Sequence, residues 1–520
     1  MDSRLSFPTA DSSENPDSET GLRSRAVRAG SLATLGLVVA QAISLISVVV
    51  LARLAPPATF GAYAAAAILL GASQLLTEAG MQSAVVQRRD RLEAAASTAF
   101  IANIVGGLCL GGIAASFAPV IGMFFHSGEI ARAAAVLAGV IPLHAISIVP
   151  GALLQRHMSW RFPFIGPLVS LSYMTVAIAL LAGGLGLWGL VFATYASVSA
   201  RAVAVFALSG WRPSLDLVSW EVWRSLSGYG RPVLFGSILR EAGFAGSTAV
   251  VGRILGTGPL GEFRLAQRIC LQVNSAVVFG SAYALLPVFS RIWQDERRFQ
   301  NSILRALRTL TLIVFPLSLV FIPLGKPCAA VFLGDQWRGT GPIMMAMSGV
   351  GIALALDSIS SEAFKATGRT YLLPRMHGLT AIVPVGLMFL LRDLGAAGMG
   401  LALSLGMGIV AAYAIRALSR IARIPLRVIL AQIRPAFVCS LVMVVCLYPL
   451  ERYVIHAAQH EGLVGLSLFS LDLLLAVFLY LGSLLLLFPR SVIEMKDVAK
   501  LLGGRRADRS AGAAAESRIT

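Results

Sequence analysis

Charge is scarce in this chain. Only 13% of its 520 residues are Asp, Glu, Lys or Arg, about half the usual share for a soluble globular domain. That leaves too little polar surface to clothe a water-soluble core. Cysteine is present but unpatterned: Cys109, Cys270, Cys328, Cys439 and Cys446 stand far apart, with neither zinc-ligand spacing nor a disulfide framework, so they read as packing residues. No GxxxxGK[ST], HExxH or GxSxG pattern occurs, which excludes P-loop ATP hydrolysis, zincin chemistry and nucleophile-elbow hydrolysis. The first 28 residues carry no apolar run. They read as a disordered cytoplasmic tail rather than a cleaved signal peptide.

Apolar residues are abundant: they make up 57% of the chain, and the mean hydropathy is +0.77. They fall into blocks near 29–52, 60–86, 94–118, 130–154, 163–183, 185–209, 228–252, 262–288, 308–332, 341–364, 372–391, 394–415, 435–450 and 463–488. About 20 apolar residues cross a hydrocarbon layer about 30 Å thick. The expected fold is therefore an all-α polytopic membrane protein with about fourteen transmembrane helices.

A net charge of +17 would point to nucleic acid in a soluble chain. Here it has a simpler source, because short cytoplasmic loops of membrane proteins collect Lys and Arg. With the N-terminus inside and spans alternating, roughly three-quarters of the 43 basic residues fall on one side. They include Arg23, Arg88, Arg156, Arg224, Arg297, Arg369, Arg420 and Arg505. Both termini are then cytoplasmic, and no nucleic-acid partner is expected. On the opposite side the longest loop, 451–462, is about a dozen residues, too short for an external catalytic domain. Two inner segments read as surface-lying amphipathic helices: 211–226, with Trp220, Trp223 and Leu226 among charges, and 491–502, with an apolar stripe beside Lys and Glu.

One short loop is written twice. RLAPPATFGAYAAA at 53–66 and RILGTGPLGEFRLA at 253–266 align without a gap, so Arg53, Gly61 and Tyr63 match Arg253, Gly261 and Phe263. The first joins blocks 1 and 2; the second joins blocks 7 and 8. The repeat unit holds six spans, an even number, so both copies enter the membrane in the same sense. This is the parallel-repeat arrangement of secondary transporters, with the two halves related by an axis along the membrane normal. The organisation expected is a tail at 1–28, a first lobe at 29–209 and an interfacial linker helix at 210–227. A second lobe follows at 228–415, two further helices at 416–488, and a cytoplasmic amphipathic segment and tail at 489–520. Two six-helix lobes facing each other enclose a cleft.

FGAYAAAAILLGASQLLTEAGMQSAVVQRRD (60–90) and VGRILGTGPLGEFRLAQR (251–268) resemble the Wzx-type polysaccharide and O-antigen flippases, members of the multidrug/oligosaccharidyl-lipid/polysaccharide exporter superfamily. The resemblance runs along most of 30–430, although only these segments are specific to it. It departs at Glu78, where relatives often carry Asp. It implies a non-enzymatic flippase that moves an undecaprenyl-pyrophosphate-linked oligosaccharide across the bacterial inner membrane, for exopolysaccharide, capsule or O-antigen synthesis. The lipid bilayer, the lipid-linked oligosaccharide and, in the same pathway, a polymerase and a chain-length regulator are the implied partners. The alternatives are a peptidoglycan-precursor flippase or cation-coupled drug exporter of the same superfamily, or a membrane-embedded polymerase or glycosyltransferase.

Charges inside membrane spans are costly, so each is a functional candidate. Arg240 and Glu241 lie midway along block 7, and being adjacent they point in different directions on a helix. Arg264 and Arg268 on block 8 are one turn apart and share a face. These four are the candidate substrate-binding residues. Glu78, Asp357, Glu362, Asn274 and Gln74 are candidates for coupling or for lining the cleft, although Glu362 with Lys365 also reads as a helix-end salt bridge. Gln41, Asn103 and His144 could line the cleft or be satisfied interhelical hydrogen-bonders. In the central helices arginines equal or outnumber acids, which suits a phosphate better than a cationic drug, because guanidinium offers a permanent charge and a bidentate fork. No cofactor or metal site is expected; a coupling H+ or Na+ stays open.

Overall fold

The computed structural model describes residues 19–71, 91–156, 161–460 and 462–489. Every element among them is helical. In chain order they are α1 (Glu19–Leu54), α2 (Pro57–Ala66, with helical backbone to residue 71), α3 (Leu92–Phe124), α4 (Gly128–Arg156), α5 (Ile165–Ala182) and α6 (Leu187–Ser209). The second half adds α7 (Trp220–Leu255), α8 (Thr257–Ile292), α9 (Glu296–Leu319, continuing through Phe321–Leu333), α10 (Thr340–Ala366), α11 (Leu372–Leu390) and α12 (Gly395–Ile421). Last come α13 (Leu426–Leu450) and α14 (Gly462–Leu487). Each apolar block falls on helical backbone, with the block at 60–86 described as far as residue 71.

Among the described residues ten helices are long and apolar enough to cross a membrane, or eleven if α1 and α2 count as one bent span. Neither α7 nor α8 is among the ten, and both carry ionisable side chains well inside their length. Lipid-facing helices show the opposite character: on α14, Phe478 and Leu486 are 73% and 83% exposed. Helix α8 packs on α2, α9 and α10, and α7 packs on α11.

Two segments differ from expectation. Helix α1 begins at Glu19, ten residues inside the stretch expected to be tail. The linker at 210–227 is not a free surface helix. It is an extended run with one 3-10 turn at Leu215–Leu217, after which Trp220 opens α7 itself. The reason is packing: Trp211 is buried edge-on against Phe100, with ring centroids 5.5 Å apart. The backbone amides of Ser214 and Ser219 donate to Ser97 Oγ and Thr98 Oγ1 on α3. The amphipathic segment 491–502 lies outside the described residues.

The twice-written loop is where the halves meet. Chain direction turns by 120° between α1 and α2, around Pro56 in extended conformation and Pro57 at the first helical position, where its missing N–H costs nothing. Two hundred positions later the same turn is made by Gly256, at φ 87° and ψ −179°, a conformation essentially reserved for glycine. The starts of α2 and α8 then cross at Gly61 and Gly261. A Cβ on Gly61 would overlap the Thr257 carbonyl, and one on Gly261 would overlap the Pro57 carbonyl. Each copy thus presents to the other the contact it receives, the signature of a local two-fold axis.

Two arginines frame this crossing. Arg53, at the end of α1, reaches into the other half and donates from Nη2 to the Val331 carbonyl (2.6 Å) and from Nε to the Phe332 carbonyl (3.1 Å). Its counterpart Arg253, at the end of α7, reaches the opposite way to His126 Nδ1 (3.2 Å) and over the Phe124 ring. Trp337 Nε1 and Gln336 Nε2 add bonds to the Ala52 carbonyl. Helices α13 and α14 brace the same place: Phe469 packs edge-on against Phe332 at 5.0 Å, and Gly465 abuts Val331. A large buried apolar cluster spans both lobes at this end, from Val48 and Ala65 to Phe263, Trp337 and Met399. Toward the other end, α8 to α13 bury a separate cluster around Phe289, Phe364 and Met376.

This geometry makes the glycine crossing the hinge point between lobes. Gly61→Leu or Gly261→Leu should force α2 and α8 apart by roughly 2 Å or more, toward the 8–10 Å spacing of ordinary helix pairs. Spin labels at the exposed Leu185 and Leu394, one on each lobe at this end, should report a longer separation by pulsed electron resonance. An unchanged distance would show that the crossing does not set the lobe spacing.

Candidate functional site

Directly against the crossing lies a cavity of about 470 Å³, walled by α1, α2 and α5 of the first lobe and by α7 and α8 of the second. Gly261 belongs both to the crossing and to the cavity wall.

Helix α8 contributes most of the chemistry. Arg264, Gln267, Arg268 and Gln272 recur at helical spacing and all face the cavity, as residues three and four apart must. The Arg264 Nη1 donates to Gln267 Oε1 (2.8 Å). The Arg268 Nη2 donates across the interface to Ser44 Oγ on α1 (2.9 Å). One turn further, Gln272 Nε2 donates to the side-chain and backbone oxygens of Gln41, at 2.7 and 3.1 Å. Among the described residues neither arginine forms an ion pair, so two guanidinium groups share one cavity with most of their donors unused.

Glu241 on α7 is the acid of the cavity. Its Oε2 lies over Gly71 of the first lobe, 3.2 Å from where a Cβ there would stand, and it is within electrostatic reach of Arg264. A side chain at residue 71 would crowd the carboxylate out of this position.

Gln267 was not among the residues singled out from the sequence. It is 3% exposed, and with its Oε1 held by Arg264 its amide nitrogen must point the other way. Among the described residues that Nε2 has no partner and is sealed from solvent, an unsatisfied buried donor that costs about 1–3 kcal/mol. The signal was available: Gln267 follows Arg264 by three residues, on the same helical face.

Other candidates go elsewhere. Arg240 is not a cavity-lining residue. Its charge acts on Glu241 beside it and also lies within electrostatic reach of Asp357 on α10 and His377 on α11. Asp357 is thus part of a second polar cluster inside the second lobe, where Lys365 is also close. Glu362 pairs with Lys365 Nζ at 2.7 Å, three residues on. Asn274 is 1% exposed and does not line the cleft. It donates to the Cys270 carbonyl and accepts from Ser318 Oγ, tying α8 to α9 against Gly351. Glu78 and Gln74 lie outside the described residues.

The first-lobe wall is different in kind. Phe60, Tyr63 and Tyr173 face the cavity. Phe60 is locked edge-on against Trp337 at 5.2 Å. The Tyr63 hydroxyl shares a hydrogen bond with Thr194 Oγ1 (2.8 Å), itself bonded to the Leu190 carbonyl.

The chain is similar to several known proteins. The family model described as polysaccharide biosynthesis protein matches residues 50–342, more than half of the chain. A second, for the lipid II flippase MurJ, matches residues 248–471. The succinoglycan biosynthesis transport protein ExoT of Rhizobium meliloti (strain 1021) is 26% identical over 301 residues, covering 58% of this chain and 60% of ExoT. The lipopolysaccharide biosynthesis protein WzxC of Escherichia coli (strain K12) is 20% identical over 370 residues, covering 67% of this chain and 71% of WzxC. The chain thus spans about three-fifths of the length of ExoT, and 62% of the teichuronic acid biosynthesis protein TuaB of Bacillus subtilis (strain 168). In fold it is similar to the lipid II flippase MurJ in an inward closed conformation, with a TM-score of 0.70 at 15% identity over 89% of this chain and 99% of that one. It is also similar to an inward-facing multidrug resistance MATE family transporter, at 0.59 and 17% over 74% and 96%.

A cavity lined by two guanidinium groups that form no ion pair among the described residues should bind an oxyanion. Titration of the detergent-solubilised protein with inorganic pyrophosphate should show binding that weakens about ten- to a hundred-fold in Arg264→Ala or Arg268→Ala, the worth of a charged hydrogen bond. Arg240→Ala, outside the cavity, should leave it unchanged. Equal losses in all three would place the anion elsewhere.

Proposed function

The chain belongs to the polysaccharide biosynthesis protein family, and from that premise we propose that it is a flippase for a lipid-linked, undecaprenyl-pyrophosphate-type oligosaccharide in the bacterial inner membrane. It serves exopolysaccharide, capsule or O-antigen assembly and carries out no covalent chemistry. The observation that carries the reading is the pair Arg264 and Arg268, one turn apart on α8, both open to a cavity between two lobes. A diphosphate is the anion that two stacked guanidinium groups fit, since each fork can take one phosphate in bidentate fashion. Glu241 faces them from α7 and takes part either as an acceptor for sugar hydroxyls or as the counter-charge when the site is empty.

The repeat-loop end is closed by the glycine crossing and the two arginine clasps. With the termini cytoplasmic, that end faces outward and the cargo enters from the inside. Outward transfer of an anion runs with a cytoplasm-negative potential, worth about 2.3 kcal/mol per elementary charge per 100 mV. The cargo's own charge thus provides a driving force without ATP. The lipid tail stays in the bilayer while only the headgroup passes between the lobes. Polymerase and chain-length regulator of the same pathway are the partners that would consume the product.

A second reading, transport of a peptidoglycan precursor, is favoured by the MurJ family match over 248–471. Both cargos present a diphosphate to the same arginines, so the sugar discriminates them.

In a strain deleted for the gene, Arg264→Ala and Arg268→Ala should each abolish surface polysaccharide while the protein still inserts. Arg→Lys at either site should restore only a small fraction, because the point charge survives and the fork does not. Full polymer in both Ala variants would remove these residues from the transport path. Rescue of a peptidoglycan-precursor flippase defect, with no effect on polysaccharide, would favour the second reading.

A further inference from the structure

Shifting by two hundred residues superimposes one cavity wall on the other, and the comparison separates scaffold from chemistry. Positions 41 and 241, 64 and 264, 67 and 267, 68 and 268, and 71 and 271 all line the cavity in both copies. The fold therefore presents the same set of positions twice. What fills them differs. The second lobe has Arg264, Gln267 and Arg268 where the first has Ala64, Ala67 and Ile68. The first lobe has Phe60 and Tyr63 on the cavity, where the equivalents Leu260 and Phe263 are fully buried.

The aromatic wall is built to offer ring faces. The hydroxyl of Tyr63 is consumed by Thr194, and Phe60 is braced by Trp337, so neither ring is free to turn away. Tyr173 lines the same cavity, within electrostatic reach of Arg268. Fixed aromatic faces carry negative quadrupole density, which suits the C–H face of a sugar ring. The polar residues lining the same cavity, Gln41, Gln267 and Gln272, suit hydroxyl groups rather than a hydrocarbon tail. Size sets the limit. At about 470 Å³ the cavity falls within the range that encloses one drug-sized ligand, about 300–1,000 Å³. That admits a diphosphate with the adjoining sugar and not a whole repeating unit.

Resting on the flippase reading above, we infer that the first lobe is the sugar reader: the monosaccharide joined to the diphosphate seats on the Tyr63–Tyr173–Phe60 wall, while the second lobe holds the phosphates. Selectivity then depends on that one sugar, and the sugars beyond it lie outside the cavity. The two walls part when the lobes rock, so phosphate travels with α8 and the sugar contacts are released.

The test uses the full-length protein in liposomes with four probes: polyprenyl diphosphate bare, or carrying a single glucose, galactose or N-acetylglucosamine. Wild type should move the three sugar-bearing lipids at different rates. Tyr63→Ala and Tyr173→Ala should change the ratio between the fastest and slowest sugar by about five-fold or more, the worth of an aromatic contact. Inorganic pyrophosphate affinity should stay within about two-fold in both variants, which also certifies their folding. Tyr63→Phe, which keeps the ring and loses the Thr194 bond that fixes it, should shift the ratio less than Tyr63→Ala. Arg264→Ala should slow all probes together. The inference is overturned if the Tyr variants slow every sugar-bearing probe by one common factor, or if they slow the bare lipid equally, which would make the wall a lipid contact. If wild type moves none of the sugar-bearing lipids, the flippase reading itself fails and takes this inference with it.

Discussion

Two glycines in backbone contact govern this structure. Where α2 and α8 cross, Gly61 and Gly261 each lie against a carbonyl of the other copy, with no room for a Cβ on either. That approach brings the two lobes together at one end, and the cavity follows from it: helices pinned closely at a crossing diverge beyond it. The arginines at 53 and 253 sit at the rim of the crossing and exchange hydrogen bonds between halves. Interhelical hydrogen bonds in membranes are individually modest, about 0.6–2 kcal/mol. A handful of them plus one apolar cluster hold this end of the molecule closed.

The internal repeat supplies symmetry, and function depends on breaking it. Equivalent positions face the cavity from both sides, but the charged residues Glu241, Arg264 and Arg268 all belong to the second lobe. A symmetric pair of arginine walls would repel across the gap and hold the lobes apart. Concentrating the cations on α8, with Gln41 and Ser44 rather than charges opposite, lets α1 and α8 touch through neutral partners. The appended helices α13 and α14 have no repeat counterpart. They pack on α9 and brace the carbonyls that Arg53 grips, which makes them a buttress of the closure.

Arg240 and Glu241 show how far a sequence reaches. Adjacency places them about 100° apart around the helix, so they were bound to serve different partners. Which one faced the cavity depended on the rotation of α7, and Arg240 went to the cluster with Asp357 and His377 instead. In a soluble protein the apolar stripe would have fixed that rotation. In a membrane the lipid-facing side and the packed side are both apolar, so periodicity carries little information about which is which. Asn274, expected to line the cleft, was misplaced for the same reason; its polar group is spent tying α8 to α9.

The sequence by itself determined that the chain is a set of apolar helices and that one loop occurs twice, because length and apolarity suffice to specify a membrane span and a gapless match suffices to align 53–66 with 253–266. It also determined that Arg264 and Arg268 share one helical face, since their spacing is a single turn. Only the tertiary structure decided that this face, and not its opposite, meets the other lobe. It alone brought Gln267, Tyr63 and Tyr173 into the same cavity, and it turned a linker helix into a strap held by Trp211. Those outcomes rest on contacts between residues far apart in the chain, whose energies arise only once the helices have docked.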